Sequence, residues 1–470
     1  MSTSRPQRVV VVGGGITGLT AAYRLSSQLP DAQITLLEAD DRLGGKIRSS
    51  TFAGIDGVDE GADAFLMRVP HAMALAADLG LAGQLTSPAV AAANVWWNGL
   101  HPIPEALLLG VPTDLAKLAR TRLLTWPGKL RAALEPILPA TGVAQDSVGK
   151  LIRRRFGKQV HERLVDPLVG SIYAADTDRF SLAGVPQILD LASNNRSLLI
   201  GARRIRSRAA QATRPDQPIF AAPCGGMASL TEALALELGR RSVQVRLSTR
   251  ATHLERPTDG SAGWLIDEEF ADCVVLASPA RSTAPLLADL SPAASRSLAA
   301  FDHAGVVMVT LAIPGADWPT ELRSRSGYLV PKPVQKWVTA VSFATAKWPH
   351  WSRPANDTFV LRISLGRDGR DLTGERDEDL VDSAIGEVSG HLGLELRPTD
   401  QRITRWPMAF PQYRPGHANR VQLIEEALAK DLPGVFVAGA SYHGIGIPAC
   451  INQANLVAEA VAVFLRDVRQ

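Results

Sequence analysis

Cysteine is nearly absent: Cys224, Cys273 and Cys450 are the only three in 470 residues. The number is odd and no pair has CxxC spacing, which excludes a disulfide framework and a zinc site. All three are expected to be reduced residues of the interior packing. No uninterrupted apolar run approaches the roughly 18 to 20 residues of a membrane-spanning helix, so no transmembrane span is expected. Val9 to Tyr23, after a short polar lead, holds a dense glycine turn where a signal peptide would have its apolar core and cleavage site. The protein is therefore expected in the cytoplasm. Lysine is scarce, 9 residues against 41 arginines. The formal charge of +3 selects no partner, and no nucleic-acid-reading motif accompanies it, so a nucleic-acid binder is excluded. The nine histidines are scattered, and no Ser/His/Asp arrangement or metal-ligand cluster stands out.

What is present is an ordinary soluble composition, 46% hydrophobic and 21% charged, which excludes a disordered chain. At about 150 residues per domain the length allows three domains and rules out a small binding module. Arg8 to Val12 reads as a short buried strand running into Gly13, Gly14 and Gly15; a helix is expected over Ile16 to Leu29 and a second strand over Gln33 to Leu37. Together they form a βαβ unit. From about Thr113 to Arg208 the chain turns helical. There Ser147 looks like an N-cap, and Val148, Ile152, Phe156, Val160 and Leu164 mark one apolar face. Residues 115–214 hold 18 Lys/Arg against 7 Asp/Glu, either a solvated surface or one that attracts an anionic substrate or lipid headgroups.

A second α/β patch starts at Pro223 to Met227, with a helix over Ala228 to Leu238 and strands at Gln244 to Leu247 and Ala271 to Ala277. Strands at Val306 to Ile313, Trp337 to Phe343, Phe359 to Ile363 and Arg402 to Phe410 predict an antiparallel sheet. Gly434 to Gly439 repeats the strand-to-glycine pattern, and Ala454 to Phe464 is helical.

Gly13-x-Gly15-x-x-Gly18 lies between strand and helix. The first glycine permits the turn, the second lets the backbone approach a pyrophosphate, and the third lets helix and strand pack closely. Phosphates would sit at the helix N-terminus. Glu38, at the end of the second strand, stands where an acid accepts hydrogen bonds from a ribose with a free 2′-hydroxyl. Arg42 to Arg48 (RLGGKIR), otherwise a plain loop, resembles the arginine and double-glycine signature of the glutathione-reductase-type and amine-oxidase-type flavoproteins, which implies glycines that let the backbone follow the pyrophosphate.

Four stretches are more particular: Asp59 to Leu66 (DEGADAFL), His101 to Pro104 (HPIP), Gly170 to Asp176 (GSIYAAD) and Gly444 to Cys450 (GIGIPAC). On these the chain resembles, over essentially its full length, the FAD-dependent protoporphyrinogen and coproporphyrinogen oxidases of heme biosynthesis. The resemblance implies an α/β plus α+β fold: a Rossmann-like FAD-binding domain assembled from residues 1–70, 220–297 and 425–470, an antiparallel-sheet substrate domain of 71–104 and 298–424, and a helical, membrane-binding-like domain of 105–219. It implies FAD contacts at Gly13, Gly14, Gly15, Ile16, Thr17 and Gly18, at Glu38 with Ala39, at Lys46, and at Gly61, Ala62, Asp63 and Ala64. Further contacts are implied at Ala251 and Trp406, with cover over the flavin ring from Ile445, Gly446 and Ile447. Two positions depart from the family pattern: Ala440 with Ser441 after the late-strand glycine, and Ala449 where an Asp is usual.

The implied reaction is the six-electron oxidation of coproporphyrinogen III, or alternatively protoporphyrinogen IX, with O2 as acceptor and hydrogen peroxide as by-product. The charged helical region and the lack of a membrane segment favour the four-propionate substrate, and the Arg-over-Lys skew fits a GC-rich bacterium. Arg48, Arg68, Trp97 and Tyr173 are the candidate lining residues of a broad, cation-edged pocket, with Trp96 beside them. No catalytic acid or base is nominated: His443, two residues before Ile445, is the most suggestive histidine and is read as structural or solvent-facing, with proton handling the alternative, and His101 is read as shaping a turn. Peripheral contact at the inner face of the membrane and transient contact with other heme-synthesis enzymes are open to such a protein. A flavin amine oxidase or carotenoid desaturase would share the glycine segments without accounting for GSIYAAD and GIGIPAC, and a prenyl-binding GDP-dissociation inhibitor would keep the fold without flavin.

Overall fold

The computed structural model describes residues 5–90, 92–140, 146–212, 218–352 and 357–467. The valine run is continuous because both faces of its strand are covered. Strand Arg8–Val12 pairs in parallel with Gln33–Leu37 on one side and Cys273–Leu276 on the other. Gln244–Arg246 and Val435–Val437 extend the sheet outward, again in parallel, so three distant stretches of chain form five strands. Val9 and Val11 cluster with the helices Ile16–Gln28 and Ile447–Asp467, whereas Val10 and Val12 cluster with Ala280–Leu286, Pro292–Ala299 and His417–Asp431.

Helix Ile447–Asp467 begins earlier than the expected Ala454. Among the described residues it is the one helix long and apolar enough, by length and composition, to cross a membrane. Gln453, Asn455 and Glu459 interrupt its apolar run, which is why the sequence showed no span. Its Ile451, Ala454, Ala458 and Val461 are buried in the core beside helix Ile16–Gln28, so its apolarity is used inside the fold. Cys273 and Cys450 are likewise interior, but Cys224 is exposed, contrary to expectation, because it sits on the turn before Gly225.

The second sheet has seven strands, in the order 400–411, 303–314, 358–365, 338–343, 327–329, 93–96, 100–102. The expected antiparallel arrangement holds except where Gly327–Leu329 pairs in parallel with Ala93–Trp96, which makes the sheet mixed. That edge comes from a short hairpin, Ala93–Trp96 with Leu100–Pro102, whose few residues carry no clear alternation. Along His303–Pro314 the odd residues Val307, Val309, Leu311 and Ile313 pack under helix Asp377–Leu392. The even residues Ala304 and Val306 instead meet Ala174, Trp406 and Phe410.

In the helical region Ser147 caps helix Val148–Phe156 by accepting from the Lys150 N–H at 3.3 Å. Val148, Ile152, Phe156, Val160 and Leu164 are all buried. They do not lie on one helix: Gly157, at φ +90°, ends the first, and a π-helical turn over His161–Val165 precedes helix Asp166–Tyr173. The fourfold spacing thus marks a shared core rather than a single rod.

Candidate active site

The three glycines of the first turn differ in their surroundings as their proposed roles require. A Cβ on Gly18 would lie 1.8 Å from the Gly13 carbonyl oxygen, and Gly13 itself is at φ +109° against Ala277. A Cβ on Gly15 would meet nothing within 4 Å. Gly15 therefore presents bare backbone to open space at the start of helix Ile16–Gln28, whose first turn has no acidic residue and no side-chain cap. Free N–H groups and an uncompensated dipole at that point suit a phosphate. The glycine frame thus fits a dinucleotide.

Glu38 ties this loop to the neighbouring turn: its carboxylate accepts from the Gly14 N–H at 2.5 Å and the Asp40 N–H at 2.9 Å. Ala39 is half-buried between them. Ala251 is also half-buried, on a segment fastened beside Glu38 by Thr249 N–H to Glu38 C=O and Ser248 N–H to Asp40 C=O, both 2.8 Å. Gly44 donates to the Gly14 carbonyl at 2.9 Å, and a Cβ on Gly45 would be 3.1 Å from the Gly15 Cα. The double glycine is thus required by close approach to the first loop.

Lys46 continues the wall. The residue is exposed, yet its ammonium bonds the Ala409 carbonyl and is crowded by neighbouring protein. That crowding lowers its pKa to about 8. Gly61 lies under Lys46, 3.0 Å from its carbonyl by the same Cβ measure and 3.5 Å from the Trp406 ring. Trp406 Nε1 donates to the Glu60 carbonyl at 2.9 Å, and Arg362 bonds the Gly61 carbonyl. Asp63 turns away: its carboxylate is held by Lys347 at 2.9 Å, Trp348 Nε1 at 3.0 Å and Arg362 at 3.1 Å. Burial alone would raise its pKa, but the two cations hold it well below the carboxylate range. Ala62 is exposed and Ala64 is partly buried against the core.

Ile445, Gly446 and Ile447 lead into helix Ile447–Asp467, with Ile445 packed against the helical core and Ile447 against the core of the parallel sheet. Two residues not marked by the sequence fix them. Tyr413 donates from its hydroxyl to the Ala440 carbonyl at 2.6 Å and accepts from the Gly444 N–H at 2.9 Å. Gln453 accepts from the Gly439 N–H at 3.1 Å and donates to the Gly444 carbonyl at 3.4 Å. Ser441, at one departure from the family pattern, receives the Ala280 N–H at 3.1 Å. Cys450 lies in the same buried cluster as Ile16 and Leu19, so the helix that follows this loop is packed against the helix that follows the glycine turn.

The candidate lining residues separate. Trp97 and Tyr173 both border the helical core, as does Ile445. Trp97 carries the Arg163 guanidinium 3.9 Å over its ring, and Tyr173 packs 4.7 Å from Phe180. Arg48 is instead paired with Glu60 at 3.1 Å, and Arg68 is exposed. His101 bonds the Trp97 carbonyl at 3.0 Å and closes the hairpin, while His443 pairs with Glu425 at 2.7 Å on the surface. Trp96 donates from Nε1 to the His391 carbonyl at 2.9 Å.

A family model described as flavin containing amine oxidoreductase matches residues 16–462. The chain is 33% identical to a coproporphyrinogen III oxidase of Bacillus subtilis, covering 98% of each. It is 27% identical to a mitochondrial protoporphyrinogen oxidase of Nicotiana tabacum, over 99% of this chain and 96% of the other. A crystal structure from Exiguobacterium superposes with a TM-score of 0.84 at 31% identity, over 98% of this chain and 99% of that one.

Tyr413→Phe removes both hydrogen bonds that brace the cover loop and leaves the Gly444 N–H to find a new partner, a loss of about 1 to 3 kcal/mol. Flavin release from the variant, followed by fluorescence, is expected to be at least several-fold faster than from the native protein. Asp59 gives a pH signature. Burial raises its pKa to about 6, against the hydrogen bonds from Ser49 and Met227. The folded state then holds this proton more tightly than the unfolded chain, so the contribution is full below about pH 4 and is lost as pH rises through 6. Urea unfolding of Asp59→Asn between pH 4 and 7 should show a flatter slope than native; an unchanged slope would assign the titration elsewhere.

Proposed function

Since the chain belongs to the flavin-containing amine oxidoreductase family, we propose that it is an FAD-dependent coproporphyrinogen III oxidase, forming coproporphyrin III with O2 as acceptor. The observation that carries this is the end-to-end similarity to a coproporphyrinogen III oxidase. It is supported by a glycine frame whose one open position, Gly15, faces the cleft. Protoporphyrinogen IX is the second reading, favoured by the weaker full-length similarity to the tobacco enzyme.

Gly13 to Gly18 would hold the pyrophosphate, with Glu38 on the ribose, Ala251 beside the adenine, Lys46 offsetting phosphate charge, and Gly61 with Trp406 along the ring. Bound FAD supplies two-electron acceptance, so the six hydrogens leaving a porphyrinogen consume three O2 and yield three hydrogen peroxide. Ile445 and Ile447 exclude water over the ring. Burial raises the Tyr173 pKa to about 12, so its hydroxyl stays protonated and can only donate to, or accept from, a substrate as a neutral group. His303, lowered to about 4 mainly by burial, is neutral at working pH. A phenol that stays protonated and an imidazole of such low basicity are both weak proton acceptors, which supports proton loss to water or by transfer within the substrate.

The same reading divides the chain into the discontinuous Rossmann-like FAD domain (1–70, 220–297, 425–470), the substrate domain (71–104, 298–424) and the helical domain (105–219). It is supported by distinct hydrophobic clusters at the parallel sheet, the seven-stranded sheet and the helical region, although these cross the bounds: Ala72, Leu75, Ala76, Trp348 and Trp351 pack in the cluster of the parallel sheet, Val95 and Tyr413 in that of the helical region, and helix His417–Asp431 runs across 424/425. A cytoplasmic enzyme with peripheral contact at the inner membrane face is supported by exposed Trp126, Leu130, Leu134 and Ile137 beside Arg122, Lys129 and Arg131.

The deciding experiment gives the FAD-loaded protein coproporphyrinogen III or protoporphyrinogen IX in air and follows porphyrin fluorescence with peroxide. A higher kcat/KM on coproporphyrinogen III is expected; preference for protoporphyrinogen IX reverses the substrate, and oxidation of neither removes the proposal. Flotation with vesicles containing anionic lipid reads the surface contact: Trp126→Glu should lower bound protein several-fold, and no binding by native protein would end that part.

A further inference from the structure

The GSIYAAD stretch ends helix Asp166–Tyr173 in an uncommon way. Ala174 stands at φ +48°, the left-handed region an alanine avoids, and closes the helix with no glycine. Such a conformation persists where the surroundings over-determine it. Here three successive carbonyls of the helical domain are each taken by a donor from the sheet domain. The Tyr173 carbonyl accepts from Gln412 Nε2 at 3.1 Å, the Ala174 carbonyl from the Asp368 N–H at 2.7 Å, and the Ala175 carbonyl from Arg367.

Arg367 is the centre of this clamp. Its two terminal nitrogens also pair with both oxygens of Asp166, at 3.1 and 3.0 Å, and Asp166 is fully buried. Thr177 donates to the same carboxylate at 2.6 Å, and His161 bonds Thr177 at 2.8 Å. Burial would raise the Asp166 pKa, but the Arg367 charge beside it keeps it lowered, so the pair stays ionised. Gly170 is small because the guanidinium lies there: a Cβ would be 2.8 Å from Arg367 Nη2. Asp368 is gripped in turn by Arg414, at 2.6 and 2.8 Å.

The clamped segment carries Tyr173. Its main chain is fixed by the clamp and its ring by Phe180, but its hydroxyl has no partner among the described residues. Ala174, next to it, packs with Ala304 and Val306 in the cluster that Trp406 borders. Arg367 itself is only 8% exposed and its terminal nitrogens are engaged, so it is not available to a propionate.

We propose that Arg367, through its ion pair with Asp166 and its bond to the Ala175 carbonyl, is a positioning residue that sets Tyr173 as a hydrogen-bonding wall for the tetrapyrrole. The inference rests on the porphyrinogen-oxidase reading. Lysine at 367 keeps the charge but cannot span both carboxylate oxygens and the carbonyl.

The test is a double-mutant cycle of Arg367→Lys and Tyr173→Phe in the FAD-loaded protein. It reads KM and kcat on coproporphyrinogen III, and separately the Kd of coproporphyrin III by protein fluorescence quenching. Arg367→Lys is expected to raise KM and the porphyrin Kd about tenfold, with the effect on KM exceeding that on kcat. In the Tyr173→Phe background the same change should have an effect of about twofold or less. Equal effects of Arg367→Lys in both backgrounds, or an effect confined to kcat and flavin content, would overturn the proposal. Should Arg367→Lys not fold, Gln412→Met, which removes one of the three carbonyl donors, takes its place in the cycle with a smaller expected effect of the same pattern. A native protein that neither binds coproporphyrin III nor oxidises a porphyrinogen would instead remove the functional reading, whatever the variants do.

Discussion

The carboxyl end of strand Arg8–Val12 is where the molecule is most constrained, because three remote parts of the chain meet there through main chain. Gly13 donates to the Leu37 carbonyl at 2.7 Å, Ala277 donates to the Val12 carbonyl at 2.8 Å, and Gly439 approaches the Ala277 carbonyl at 3.6 Å by its Cβ position. A sheet whose central strand has parallel neighbours on both sides opens a crevice at such an edge, and ligands of this fold class sit there. The second sheet, the cover and the helical region are all placed relative to that crevice. Lys46, Gly61 and Trp406 connect it to the seven-stranded sheet, and the packing of helix Ile447–Asp467 on helix Ile16–Gln28 connects it to the late loop.

This explains what the sequence could disclose. The first βαβ unit was readable to within a residue because its signals are local: four valines, three glycines, and an acid at the strand end. The late strand and the double glycine were readable for the same reason. The clamps were not. Arg362, Arg367, Tyr413 and Gln453 act on carbonyls or N–H groups outside their own segments, and nothing in a lone arginine, tyrosine or glutamine tells which distant backbone it will meet. The parallel pairing of Gly327–Leu329 with Ala93–Trp96 was hidden similarly, since strands of three and four residues are too short to show a period. The break at Gly157 was hidden because separate helical pieces that share one core keep the same fourfold spacing that a single rod would show.

Arginine does much of the long-range joining. Arg362 binds Gly61 and Asp63, Arg402 binds Ser50 and the Val58 carbonyl, Arg367 binds Asp166 and Ala175, and Arg414 bridges Asp302 and Asp368. Its planar fork satisfies two acceptors at once, which an ammonium on a flexible stem does less well. The scarcity of lysine, uninformative as composition, thus coincides with a structure whose distant segments are joined by guanidinium groups on main-chain carbonyls and carboxylates.

Ile447 ends the cover over the crevice and also begins helix Ile447–Asp467, the apolar helix laid along Ile16–Gln28. Roof and foundation are therefore one continuous element. On the proposed reading, a nucleotide resting on the glycine loop would be covered only once this late segment has docked, so in the order of synthesis the site would wait for nearly the whole chain before it is closed. Opening such a roof would disturb the same helix that seals the core, which would make enclosure of the ligand and completion of the fold a single event.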